Sequence, residues 1–290
     1  MNPNDIAVLA RQIRRYALLS IHSATSGHPG GALSCSDILA VLYGNELGSQ
    51  DKDVPASERN RFIMSKGHAC PALYAAWAAT KLINPQELTT LRHLAGRLEG
   101  HPHVGATPLA ETSTGSLGQG ISVACGIALG ARMQGWSNRV YALLGDGEMQ
   151  EGEVWEALMF ANHHKLGNLC AIIDYNKLQS DNTNAKIMGL EPLQDKLRAF
   201  GWNVTEIDGH NLNEIAGGFD QARKDTSSPT IILAHTRKGQ GVSFMVGKPN
   251  WHGSLLLTDE DFTKSLIELG VHETETPAWI DGTIFSKVAL

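Results

Sequence analysis

The chain has 290 residues, 42% of them apolar, and a formal charge of −6. That length can bury a large core in one domain, or two at most, and an acidic balance without a Lys/Arg run offers no footprint for nucleic acid. No apolar run approaches the roughly 18 residues of a membrane span, and the first five residues carry no basic or apolar leader signal, so a cytoplasmic location is expected. The four cysteines, Cys35, Cys70, Cys125 and Cys170, form no CxxC pair, and buried reduced thiols are expected.

Residues 6–22 repeat apolar side chains at helical spacing (Ile6, Leu9, Ile13, Ala17, Ile21), with Arg11, Arg14 and Arg15 elsewhere, and predict an amphipathic helix. Helices follow at 36–43 and 71–82, the second with Pro71 in its first turn, where a missing N–H is harmless. The stretch 118–133 is rich in small residues (Gly120, Ala124, Gly126, Ala128, Gly130), which lets a helix lie close to a sheet or to another copy of itself. Strand 140–144, helix 154–163, strand 169–173, helix 193–200, strand 204–207, helix 213–224 and strand 230–234 complete the pass. Strands alternating with helices call for a mostly parallel sheet between helical layers, an α/β fold of three layers. No linker or repeat interrupts it. One domain is expected over 1–269, with a tail, 270–290, packing on a partner.

The most informative stretch is Gly145-Asp146-Gly147, which ends one apolar run, answered by Asn176 at the end of the next. A strand ending in such a turn sets a carboxylate at the carboxyl edge of a sheet with no bulky neighbour, so a diphosphate and a hard cation can come close. Between Gly147 and Asn176 lie 28 residues, about one helix plus a return strand, which lets the amide oxygen reach the same edge. Backbone N–H groups around Gly147 and Glu148, opening the next helix, can take phosphate charge without a lysine.

This spacing resembles the thiamine diphosphate fingerprint, and further motifs extend the resemblance. Ser26–Gly31 (SGHPGG), Ser65–Ala69 (SKGHA), Gly100–His103 (GHPH), Thr114–Gly120 (TGSLGQG), Gly145–Gly152 (GDGEMQEG), Asp174–Leu178 (DYNKL), Lys238–Phe244 (KGQGVSF) and Trp251–Gly253 (WHG) occur in the order found in transketolases. The resemblance covers nearly the whole chain. It points to the amino-terminal, diphosphate-binding part of a transketolase in the variant split into two polypeptides.

The resemblance implies a three-layer thiamine diphosphate-binding fold and Mg²⁺, with Ca²⁺ or Mn²⁺ tolerated, held by Asp146, Asn176 and the Leu178 carbonyl. It places Gly115, Leu117 and Gly118 of the GSLGQG stretch near the cofactor, with Gly145, Gly147, Glu148 and His68 at the diphosphate. His101 would contact the donor's C1 hydroxyl, and His28 and His252 the reacting oxygen of the acceptor aldehyde, with His252 also beside the cofactor. Glu151 matches an acid that joins two active sites across an interface between protomers; its other reading is a helix N-terminal glutamate that favours the macrodipole. His103, two residues past His101, would point the other way in extended chain. His22, His93, His163, His164, His210, His235 and His272 lie outside every matched motif and receive no role.

A glutamate that hydrogen-bonds the aminopyrimidine ring lies, in the family, in a second domain. The expected partner is therefore a separate subunit carrying the pyrimidine-binding domain, the assembly an α2β2 heterotetramer, and the reaction ketol transfer from a ketose phosphate to an aldose phosphate. One departure bears on the substrate. Where transketolases usually read TPG, this chain has Thr107-Pro108-Leu109-Ala110-Glu111, so a branched or otherwise catabolic sugar phosphate stands beside the pentose phosphates. A 2-oxo acid dehydrogenase α-chain, a one-piece deoxyxylulose-phosphate synthase and a non-catalytic thiamine diphosphate-binding subunit are the alternatives.

Overall fold

The computed structural model describes residues 1–50, 53–94, 96–253 and 255–287. Five strands, β1 (Arg61–Met64), β2 (Val140–Gly145), β3 (Leu169–Tyr175), β4 (Asn203–Asp208) and β5 (Thr230–His235), form one sheet in the order β1-β2-β3-β5-β4. Every pairing is parallel. Parallel strands buried on both faces read as continuous apolar runs, and β3 has no exposed residue along its length.

Alternation along the strands sorts the core into two halves. Tyr141, Leu143, Cys170, Ile172 and Ile232 face one side, where they join the helices Pro3–Ser23, Ser36–Val41, Cys70–Ala79 and Leu212–Lys224. Val140, Ala142, Leu144, Ala171, Ile173 and Leu233 face the other and pack on Gln119–Met133, Gly152–His163 and Leu193–Ala199. Helices on both faces of a parallel sheet make the three-layer α/β fold expected from the sequence. Gly120 is where the small-residue helix touches the sheet, since a Cβ there would lie 2.6 Å from the Ser65 Cα. Gly126 and Gly130, by contrast, face open space.

The four anticipated strands and seven anticipated helices are present with no end shifted by more than three residues, the helix from Ser36 excepted in form, since past Val41 it continues as a wider π turn, Leu42–Glu46. Sequence reading passes over β1, because its four residues begin on arginine. Arg61 is buried there beside Arg59, and both pair with Glu111. It also passes over the helix Asp259–Glu268, whose start is signalled by Thr258 accepting the Asp261 N–H and by three acidic residues in the first turn.

The segment after Gly270, expected on a partner, seats on this chain's own first helix as far as the described residues reach. Trp279 is buried, its ring 6.0 Å from that of Tyr16, and Phe285 lies 5.7 Å from Tyr16. Residues 288–290 of that segment lie outside the described residues. All four cysteines are free and buried. No helix among the described residues is long and apolar enough to cross a membrane.

Candidate active site

The carboxyl ends of β1, β2, β3 and β5 lie side by side, and the loops leaving them meet in one cleft. Register pairs Gly145 with Asp174, so Asp146 and Asn176 emerge from neighbouring strands at the same edge. Asp146 is 2% exposed; its Oδ1 accepts the Gly147 N–H at 2.8 Å and its Oδ2 accepts the Lys177 N–H. Burial, and the nearby charge of Asp174, push its carboxyl up to about 6. Asn176 is held by both ends of its amide, with Oδ1 accepting from the Leu178 N–H at 3.1 Å and Nδ2 donating to Asp174 Oδ2 at 3.4 Å.

Under this floor runs a buried ion pair. Lys66 Nζ donates to Asp174 Oδ2 and, at 2.9 Å, to the Gly31 carbonyl, while Ser34 and Thr236 donate their hydroxyls to the same carboxylate. Burial alone would discharge both partners. Their mutual attraction wins, holding Lys66 above and Asp174 below their ordinary pKa values. Lys238 is different, for its buried ammonium donates to two carbonyls, Leu178 at 3.1 Å and Gln179 at 3.0 Å, and to His252 Nδ1 at 2.8 Å. Burial pulls its pKa down to about 8, against the pull of Asp146.

Above the floor three imidazoles form a triangle. Ring centroids of His28 and His68 are 5.2 Å apart, His28 and His252 5.3 Å, His68 and His252 5.1 Å. Burial comes first among the causes that lower all three: His28 falls to about 4, His252 to about 3, and His68 falls well below its usual value. They are neutral near pH 7. Because an ammonium can only donate, Lys238 leaves the His252 proton on Nε2. His28 Nδ1 is buried without a partner among the described residues. His101 stands outside the triangle, exposed, its ring against Gly115, and is lowered by its partial burial and by Arg92. His103 reaches Glu99 at 3.1 Å, away from the cleft.

Of the residues singled out from the sequence, His68, Leu117, Gly145, Asp146, Gly147, Glu148, Glu151, Asn176, Leu178 and His252 line the cleft. Gly115, Gly118, His28 and His101 border it without lining it. Gly118 is tied to the floor instead: its φ is +89° and its N–H donates to Glu148 Oε1 at 3.0 Å. The Glu148 carboxylate is buried and also accepts from Ser65 and from the Gly145 N–H, so it braces three loops. The Gly147 N–H, expected at the phosphate, donates to Asp146, and two lysines, Lys66 and Lys238, line the cleft as well. Both lysines stand inside the recognised motifs, each directly before a glycine. Leu109, the substituted glycine position, packs on the core between the sheet and the first helix, and Glu111 binds Arg59 and Arg61.

The donor set suits a hard divalent cation: one carboxylate, one amide oxygen and one backbone carbonyl. Among the described residues no group of three His, Cys, Asp or Glu side chains gathers to hold a metal. An ion held by the carboxylate, amide and carbonyl oxygens keeps coordination positions open to water or to an anion beside it, such as a diphosphate.

Residues 6–280 match the family described as transketolase, thiamine diphosphate binding domain. The chain is 42% identical over 265 residues to the 6-deoxy-6-sulfo-D-fructose transketolase subunit SqwG of Clostridium sp. (strain MSTE9), covering 91% of this chain and 96% of that protein. It is 37% identical to one of the subunits of the apulose-4-phosphate transketolase of Phocaeicola vulgatus, covering 87% of this chain and 89% of that one. Among solved structures, the transketolase of Campylobacter jejuni superposes with a TM-score of 0.87 at 28% identity; 99% of this chain covers 48% of it.

Proposed function

This chain belongs to the transketolase thiamine diphosphate binding domain family, and on that premise we propose that it is the diphosphate-binding subunit of a two-chain transketolase. The observation that carries the reading is the cleft itself, where Asp146, Asn176 and the Leu178 carbonyl stand beside Lys238 beneath neutral histidines. The two relatives of similar length are named as subunits, which supports a separate partner chain; in the proposal that partner bears the pyrimidine-binding domain and the assembly is an α2β2 heterotetramer in the cytoplasm.

Thiamine diphosphate supplies the carbon nucleophile that carries the two-carbon unit from ketose to aldose. This chain's part is binding, orientation and proton handling. Asp146, Asn176 and Leu178 hold Mg²⁺, with Ca²⁺ or Mn²⁺ as substitutes, while His68 and Lys238 face the diphosphate. Neutral imidazoles can both donate to and accept from sugar oxygens, so His101 serves the donor's C1 hydroxyl and His28 and His252 the acceptor's carbonyl oxygen. Glu151, exposed at the start of the helix Gly152–His163 and at the cleft, takes in this proposal the part of the acid that joins two active sites across an interface between protomers. The relatives' names favour an unusual catabolic ketose over the pentose phosphates as donor.

The test is reconstitution. The purified chain shows no ketol transfer alone and acquires it with a partner of similar size, across a panel of ketoses. Turnover by the single chain would overturn the two-chain reading.

A further inference from the structure

Lys238 reaches the cleft on a strap, residues 236–240, fastened at each step to a different part of the fold. Thr236 is bonded to Asp174, Lys238 to Leu178, Gln179 and His252, the Gly239 N–H to the Gly30 carbonyl at 3.0 Å, and the Gln240 carbonyl to Arg14 Nε at 3.1 Å. The Lys238 carbonyl also accepts the Gly247 N–H at 2.9 Å, and the side-chain tie nearest the lysine in sequence is the Arg237 N–H, which donates to His210 Nε2 at 2.8 Å. His210 follows β4, and its Nδ1 lies 2.8 Å from Asp37 Oδ2. Asp37 in turn accepts both arms of the Arg14 guanidinium, at 3.0 and 2.6 Å.

We propose that His210 is a positioning residue for Lys238: clamped by Asp37 and Arg14, it presents one bare nitrogen that anchors the strap next to the lysine. The inference rests on the functional reading of the cleft above. A backbone N–H can only donate, so Nε2 is unprotonated and Nδ1 carries the proton toward Asp37. Arg14, by its bidentate grip, fixes the carboxylate that fixes the ring, as carboxylates orient histidines at metal centres. The same Arg14 holds Gln240, so one guanidinium braces the support and the far end of the strap. Without the Arg237 anchor, the neighbouring backbone shifts and the three bonds of Lys238 lengthen.

Two substitutions separate anchoring from packing. His210→Gln retains an acceptor near the Nε2 position, whereas His210→Asn places its amide near Nδ1 only. Labelling of Lys238 by an amine-directed acetylating reagent, read by mass spectrometry on the full chain, is expected to rise about tenfold in His210→Asn, the scale of one lost hydrogen bond, and to stay near wild type in His210→Gln. Calorimetric affinity for thiamine diphosphate with Mg²⁺ should follow the same order. Equal labelling in wild type and His210→Asn overturns the proposal, as does ¹⁵N NMR of the wild-type chain showing a protonated His210 Nε2, a measurement that needs no variant to fold. If the wild-type chain reconstituted with its partner takes up no thiamine diphosphate while labelling still separates Asn from Gln, the functional reading falls and the positioning role stands.

Discussion

The floor of the cleft and its histidine wall are built on opposite rules. In the floor each charged group is buried and tied: Lys66 to Asp174, Asp146 to two backbone N–H groups, Lys238 to two carbonyls and a ring nitrogen. In the wall the rings touch one another, His28 Nδ1 has no partner among the described residues, and His101 is exposed. A floor satisfied within the chain is preorganised for its ligand, while a wall with spare donors awaits groups this chain does not supply. Stability and cofactor binding should therefore depend on the floor, and turnover on the wall.

The largest expected effect is on the floor. Lys66→Met strands the Asp174 carboxylate at 0% exposure, and denaturant unfolding should show a loss of about 3–5 kcal/mol. A loss below 1 kcal/mol would show that the pair is not a structural unit. Next is Asp146→Asn in the metal-free chain. Its folded-state pKa of about 6 lies above the ordinary 3.8, so the penalty for ionising it is absent below about pH 4 and complete above about pH 6. The substitution should thus stabilise the protein at pH 8 by about 3 kcal/mol more than at pH 4, and it should abolish uptake of Mg²⁺ and thiamine diphosphate. Equal effects at both pH values would mean the carboxylate is not strained. The smallest effects sharpen the contrast from the wall's side: in the reconstituted enzyme His28→Ala or His101→Ala should cost about 1.5–3 kcal/mol of transition-state stabilisation, ten- to a hundredfold in rate, at unchanged cofactor affinity. His68→Ala is the exception in the wall and should weaken the cofactor first, because His68 lines the diphosphate cleft itself. The reverse pattern would put these rings on the wrong sides of the cleft.

The sequence by itself pointed to the layering, because continuous apolar runs such as 140–144 and 169–173, alternating with helical patterns, suit strands buried on both faces of a parallel sheet, and the glycine and asparagine that follow them mark the edge where chemistry sits. It also named Asp146 and Asn176, since a local turn at a strand end leaves a local signature. Only the tertiary structure decided who pairs with whom. Lys66 and Asp174 are 108 residues apart, and His210 meets Asp37 across 173, so nothing in the spacing of either residue announces its partner. For the same reason Glu148 reads as a helix-opening acid in the chain and becomes, once folded, the brace among Ser65, Gly118 and Gly145. Periodicity records which face a residue is on; burying a charge demands a specific opposite group, and that group is chosen by the fold.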